Sequence, residues 1–171
     1  MINKRITLND IEQDTCRNIA TQRFNNNRKE CVNNAKIGKQ SNNFTDLEGI
    51  GSEFAFCKLF NVFPDLSIEI RSSQKEEDNG DAILHNGAKV DVKSTKYKNG
   101  KLLAVPWKKP DVEFFALMIG QFPSYVFKGF MKQEELCQPN RLGSLGYGET
   151  YIAQQQELKE LEDLLPVGVD K

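Results

Sequence analysis

The chain has 171 residues, of which 39% are hydrophobic and 27% charged, and its net charge is −1. That size and balance fit one domain with a real core and exclude a disordered chain. No apolar run approaches the roughly 20 residues that a bilayer crossing needs. The polar start Met1-Ile2-Asn3-Lys4-Arg5 has no signal-peptide core, so a soluble, cytoplasmic protein is expected.

Four cysteines, at 16, 31, 57 and 137, form no CxxC pair, and His85 is the single histidine. A Cys/His zinc site and a histidine-assisted nucleophile are therefore poorly provided for. Scattered thiols fit a reducing compartment. Charge is uneven along the chain: residues 89–109 carry seven lysines (89, 93, 96, 98, 101, 108 and 109) and one acid, Asp91. Such a strip suits contact with a phosphate backbone. It equally suits a solvated hairpin whose lysines guard a strand edge.

In chain order, the spacing of Leu8, Ile11, Cys16, Ile19, Ala20, Phe24, Cys31 and Val32 predicts a long polar helix over 7–36, opened by a Thr7/Asp10 capping pattern. A linker from Gly38 to Phe44 follows. Thr45 and Glu48 form a second capping pattern, and a largely buried helix is predicted to run to Phe60. Short strands are predicted at 67–71, 81–84, 89–94 and 102–105. The continuous apolar run 112–119 reads as a central strand, and 124–131 as its antiparallel neighbour. Residues 139–148 read as a loop and 153–165 as an acidic amphipathic helix. The fold class is α+β, a single mixed sheet flanked by helices. Residues 1–40 form an N-terminal helical extension, and 41–171 one globular unit.

Three acids and a lysine stand out: Glu53 on the second helix, Asp81 after Gly80, and Asp91-Val92-Lys93 on the next strand. The chain spells (D/E)-x-K twice, the other being Glu157-Leu158-Lys159. Chance supplies about that many, so the tripeptide alone carries little. Context distinguishes the first. Alternation puts Asp91 and Lys93 on one strand face. A two-residue Asn86-Gly87 turn would send Asp81 to the other face, whereas a three-residue His85-Asn86-Gly87 loop sets it opposite Asp91. Gly87 is the residue that the longer loop requires, so the three-residue form is predicted. Two aspartates across a ladder repel, and a divalent cation removes that cost. Oxygen ligands point to Mg²⁺ or Mn²⁺, with the backbone carbonyl of Val92 as a further ligand. The plain alternative is a surface hairpin in which Lys93 pairs with the two aspartates.

This arrangement resembles the PD-(D/E)xK, restriction-endonuclease-like nucleases: a Glu on a helix, an Asp on one strand, and (D/E)-x-K on the next. The resemblance implies a restriction-endonuclease-like core that hydrolyses DNA phosphodiesters. Asp81 and Asp91 would be metal ligands, Lys93 the catalytic lysine, and Glu53 a support for the metal or its water. Glu48 competes for the last role, but helix capping accounts for it. The family often has Pro before the first Asp, where this chain has Gly80. Its usual helix after the lysine strand is replaced here by a lysine-rich hairpin. Size and the asparagine-rich, single-domain make-up also resemble small nuclease-like proteins of bacteriophages, which act in the host cytoplasm.

Lys96, Lys98, Lys101, Lys108 and Lys109, with Tyr97 and Trp107, are candidates to grip DNA backbone or stack a splayed base. Trp107 packed beneath the loop as core is the competing expectation. Cutting two strands would call for a homodimer. The alternative function is a catalytically inactive nucleic-acid-binding or protein-interaction module on the same fold.

Overall fold

The computed structural model describes residues 3–29, 42–68, 80–107, 110–146 and 148–160. The elements are β1 (Arg5–Thr7), α1 (Asp10–Lys29), α2 (Asn42–Phe60), β2 (Ala82–Ile83), β3 (Lys89–Thr95), β4 (Leu102–Ala104), β5 (Phe114–Gln121), β6 (Ser124–Lys132), α3 (Gln133–Leu136), β7 (Leu142–Ser144) and β8 (Glu149–Ala153). Five strands form one mixed sheet in the order β1-β6-β5-β3-β2, where β3 and β5 run parallel and the other pairs antiparallel. The α+β class is as expected. The single sheet is not, because β4, β8 and β7 make a second, antiparallel one.

Strand β5 explains why its sequence is apolar throughout: both of its faces are buried. Phe114, Ala116 and Met118 join the core beneath α1 and α2, with Phe56, Phe130 and Val90. Phe115, Leu117 and Ile119 join a second core with Leu102, Ala104, Leu136, Ala153 and Leu158. The five-stranded sheet thus lies between the helices and the small sheet. Rings of Phe56, Phe60, Phe127 and Phe130 pack edge-on or tilted on the helix side, with centroids from 4.7 to 6.2 Å apart.

The N-terminal segment departs from the predicted helix. Residues 5–7 extend instead as β1 on the edge of β6, with Ile6 opposite Tyr125. The helix cap lies two residues later than Thr7. Asn9 Oδ1 accepts from the Glu12 amide at 2.9 Å, and Glu12 Oε2 accepts from the Asn9 amide at 2.6 Å. Helix α1 buries Cys16, Ile19 and Ala20 in the main core, while Ile11 is exposed. Within the described part of residues 1–40, β1 extends the five-stranded sheet and α1 packs on the main core.

At the other end, the predicted helix over 153–165 is absent from its described part. Thr150, Tyr151 and Ile152 are β-branched or aromatic and extend as β8. A 3₁₀ turn at Gln155–Glu157 follows, capped by the Glu157 carboxylate on the Gln154 amide at 2.7 Å. Lys159 then bridges to Phe130. The predicted loop 139–148 contains a 3₁₀ turn, Pro139–Arg141, and strand β7. Of the predicted strand 67–71, residues 67 and 68 are irregular and the rest lie outside the described residues. Among the described residues, no helix is long and apolar enough to cross a membrane.

Candidate active site

The β2–β3 hairpin has the predicted register. Ala82 pairs with Val90 and Ile83 with Lys89, which centres the hairpin on Asn86. Leu84 donates to the Ala88 carbonyl at 2.9 Å, closing the three-residue loop, and Gly87 takes φ +87°. Beyond Ala82 the pairing does not continue to Asp81 and Asp91: the Asp81 amide donates to the Val90 carbonyl at 2.8 Å, the carbonyl of the residue that Ala82 already faces. Val90 and Val92 pack into the helix-side core, so alternation turns Asp91 and Lys93 to the opposite face. Consistent with this, Lys93 Nζ lies 5.9 Å from the Phe115 ring, part of the second core.

Gly80 is dictated by the approach to β3. It has φ +76°, and a Cβ there would stand 2.6 Å from the Val90 carbonyl oxygen. Proline, locked near −65°, cannot adopt that conformation. The departure from the resembled family's usual Pro is therefore a requirement of this backbone.

Asp91 is buried, with 9% of its side chain exposed, and Lys93 Nζ stands 2.6 Å from its Oδ1. That oxygen is shut off from solvent and receives no directed hydrogen bond, so the contact is an ion pair rather than a well-aimed donor–acceptor bond. The Asp81 Oδ2 accepts from the Val92 amide at 2.7 Å. In a strand the carbonyl of a residue faces the same edge as its N–H, so the Val92 oxygen opens toward the same side. Burial first, then repulsion from Glu53 and Asp91, holds the Asp81 carboxyl well above its ordinary range. Lys93 and the Val92 amide offset part of this.

Glu53 comes from α2. Its Oε2 is 3.7 Å from Nη1 of Arg23 on α1, and its charge reaches Asp81. Among the described residues, no three His, Cys, Asp or Glu side chains gather closely enough to hold a metal ion by themselves. The predicted three-carboxylate set is therefore an electrostatic neighbourhood centred on Asp81 rather than a closed cage.

The donor chemistry nevertheless fits a hard divalent ion. It provides two carboxylates, Asp91 with its Oδ1 ion-paired to Lys93 and Asp81 with its Oδ2 on the Val92 amide, and a backbone carbonyl. Mg²⁺ commonly takes one or two carboxylates and keeps several waters.

Glu48 does not cap a helix as predicted, because α2 already begins at Asn42. It accepts instead from the Phe122 amide at 3.0 and 3.1 Å and from the Tyr125 hydroxyl at 3.1 Å, tying α2 to the β5–β6 turn. Burial raises its carboxyl above the ordinary value, and these donors work against that rise.

The expected lysine-rich hairpin does not form, because β4 pairs with β8 of the second sheet and not with β3; in the connecting turn Lys96 and Lys98 are exposed and Lys101 partly so. Lys96 Nζ stands 5.5 Å from the Tyr97 ring centre. Trp107 is 68% exposed, which corrects the expectation that it packs as core. Lys108 and Lys109 lie outside the described residues. Gln155 steadies the turn by donating to the carbonyls of Lys98 at 2.9 Å and Gly100 at 2.7 Å.

Sequence reading missed Arg23 and Gln155. Arg23 carried a usable signal. It falls at the helical spacing of Cys16, Ile19 and Ala20, a cation on a buried stripe. No comparable signal marks Gln155.

The fold is α+β, with an acidic edge on a mixed sheet. A family model matches residues 1–133, and the chain belongs to that family, DUF5843, a family of unknown function. The matched span holds the whole five-stranded sheet, α1, α2 and all four residues of the predicted centre, while β7 and β8 fall outside it. No curated protein and no solved structure matches the chain.

Proposed function

We propose that the chain is a divalent-metal-dependent nuclease of the restriction-endonuclease-like, PD-(D/E)xK type that hydrolyses DNA phosphodiester bonds. The observation that carries this reading is the arrangement along one strand. Asp91 is buried with the Lys93 ammonium 2.6 Å away, and Asp81 is bonded to the Val92 amide between them. Lys93 offsets only part of the repulsion among Asp81, Asp91 and Glu53, and a bound divalent cation would remove the remainder.

Asp81, Asp91 and the Val92 carbonyl would hold Mg²⁺ or Mn²⁺, with Glu53 supporting the site. The chemistry supplied by such an ion is polarisation of a phosphodiester and acidification of water. Lys93, with 32% of its side chain exposed, would orient a nucleophilic water or offset charge developing on the phosphate. Lys96, Lys98 and Lys101 continue the same chain segment and supply positive charge for the DNA backbone. The connection between the parallel strands β3 and β5 runs through β4 of the second sheet, so this reading requires a variant of the simplest family core.

The test is incubation of the full chain with supercoiled plasmid, linear duplex and branched DNA, with and without Mg²⁺ or Mn²⁺. Metal-dependent cleavage abolished by Asp91→Ala and by Lys93→Ala is expected. DNA left intact by the wild type under every condition overturns the enzymatic reading. Cleavage that survives both substitutions places the reaction elsewhere.

A further inference from the structure

We propose that Arg23 is a positioning residue that holds Glu53 at the acidic edge, which makes α1 a working part of the site. This rests on the metal-dependent reading above.

Arg23 is anchored from both sides. Its helix is fixed by Cys16, Ile19 and Ala20 in the main core. Its guanidinium is fixed by the chain after α2: Nε donates to the Ser67 carbonyl at 2.8 Å and Nη2 to the Asp65 carbonyl at 3.2 Å. Asn26, about one turn further along α1, donates to the Ile68 carbonyl at 2.8 Å and secures the same segment. With the fork held by these carbonyls, Nη1 stands 3.7 Å from Glu53 Oε2, and Nη2 stands 3.6 Å from Asp65 Oδ2. The Arg23 side chain is 20% exposed and that of Glu53 16%, so solvent screens the pair only partly.

Glu53 and Asp81 repel each other. Left to that repulsion, the Glu53 side chain would turn away from the aspartate it is meant to assist. A cation whose own place is set by backbone carbonyls opposes the turn. The planar fork is needed because one group must meet two carbonyls and two carboxylates at once. A lysine ammonium keeps the charge without that geometry.

Arg23→Lys therefore separates placement from charge. The experiment is calorimetric titration of the metal-free full chain with Mn²⁺, on the wild type, Arg23→Lys, Glu53→Gln, the double variant and Asn26→Ala. Arg23→Lys is expected to weaken Mn²⁺ binding about tenfold, the scale found for groups that orient metal ligands. In the Glu53→Gln background the same change should add nothing beyond about twofold. Asn26→Ala, which loosens the segment without facing Glu53, should stay within about twofold of wild type. If Arg23→Lys does not fold, Arg23→Gln, which keeps a donor for the Ser67 carbonyl, replaces it with the same expectation.

Wild-type affinity in the Arg23 variant, an equal loss in both backgrounds, or a matching loss in Asn26→Ala overturns the inference alone. Wild-type protein that binds no Mn²⁺ overturns the inference together with the metal-dependent reading beneath it.

Discussion

The Asp81 carboxylate is hydrogen-bonded at 2.7 Å to the amide of Val92, the residue between Asp91 and Lys93. The acid entering β2 is thereby tethered to the strand that carries the other two groups. One end of that tether is backbone, which fixes the Asp81 carboxylate relative to β3.

Asp81→Asn keeps an oxygen for the Val92 amide and removes a buried, mutually repelled charge. The metal-free variant should be more stable than wild type. Each kcal/mol gained raises Tm by about 2–4 °C for a chain of this size. The stabilisation that Mn²⁺ gives the wild type should disappear. Thermal unfolding with and without Mn²⁺ checks both halves. A metal-free Tm that falls, with the Mn²⁺ effect intact, contradicts the assignment.

Glu48 predicts a pH dependence. Burial lifts its carboxyl above the ordinary 4.5, so the folded chain keeps this proton to higher pH than the unfolded chain does. The stability contributed by this group is complete below the unfolded value and is lost as pH rises through the folded one. Glu48→Gln retains an acceptor for Phe122 and Tyr125 but cannot ionise. Urea unfolding at steps from about pH 4 to pH 8 should show wild type losing stability relative to the variant as pH rises. A constant difference across that range refutes the mechanism.

Phe56 is fully buried and packs its ring against Phe60, Phe127 and Phe130. Phe56→Ala should cost about 3–5 kcal/mol, the loss of a large core aromatic and the cavity it leaves. Denaturant titration measures this directly. A cost below about 1 kcal/mol would show that the cluster is not the centre of the fold.

Trp107 and Lys96 should affect binding but not folding. Trp107 is 68% exposed, so Trp107→Ala should change stability by no more than about 0.5 kcal/mol. Its affinity for single-stranded DNA should fall by about 1–3 kcal/mol if the indole stacks on a base. Lys96→Ala should lower the slope of log affinity against log salt by about 1. Fluorescence anisotropy across a salt series reads both. Unchanged affinity and slope remove this lysine-rich segment from the DNA contact.

The features legible in the amino-acid order were those set by the chain's own local period. Gly87 required a three-residue loop, and the loop set the register that pairs Ala82 with Val90. The unbroken apolar run in β5 required burial on both faces, and the sheet's centre follows from it. Tertiary structure alone decided the second sheet, where Leu102 meets Ala153 across some fifty residues. It also made residues 155–157, inside the predicted C-terminal helix, a capped 3₁₀ turn. Glu48 became a clamp on the β5–β6 turn, and Arg23 met Glu53 thirty residues away. Turn chemistry and alternation act over a few bonds, so they can be read from spacing. Which distant surfaces cover one another depends on how the whole core closes, and that is settled only when the helices and both sheets pack together.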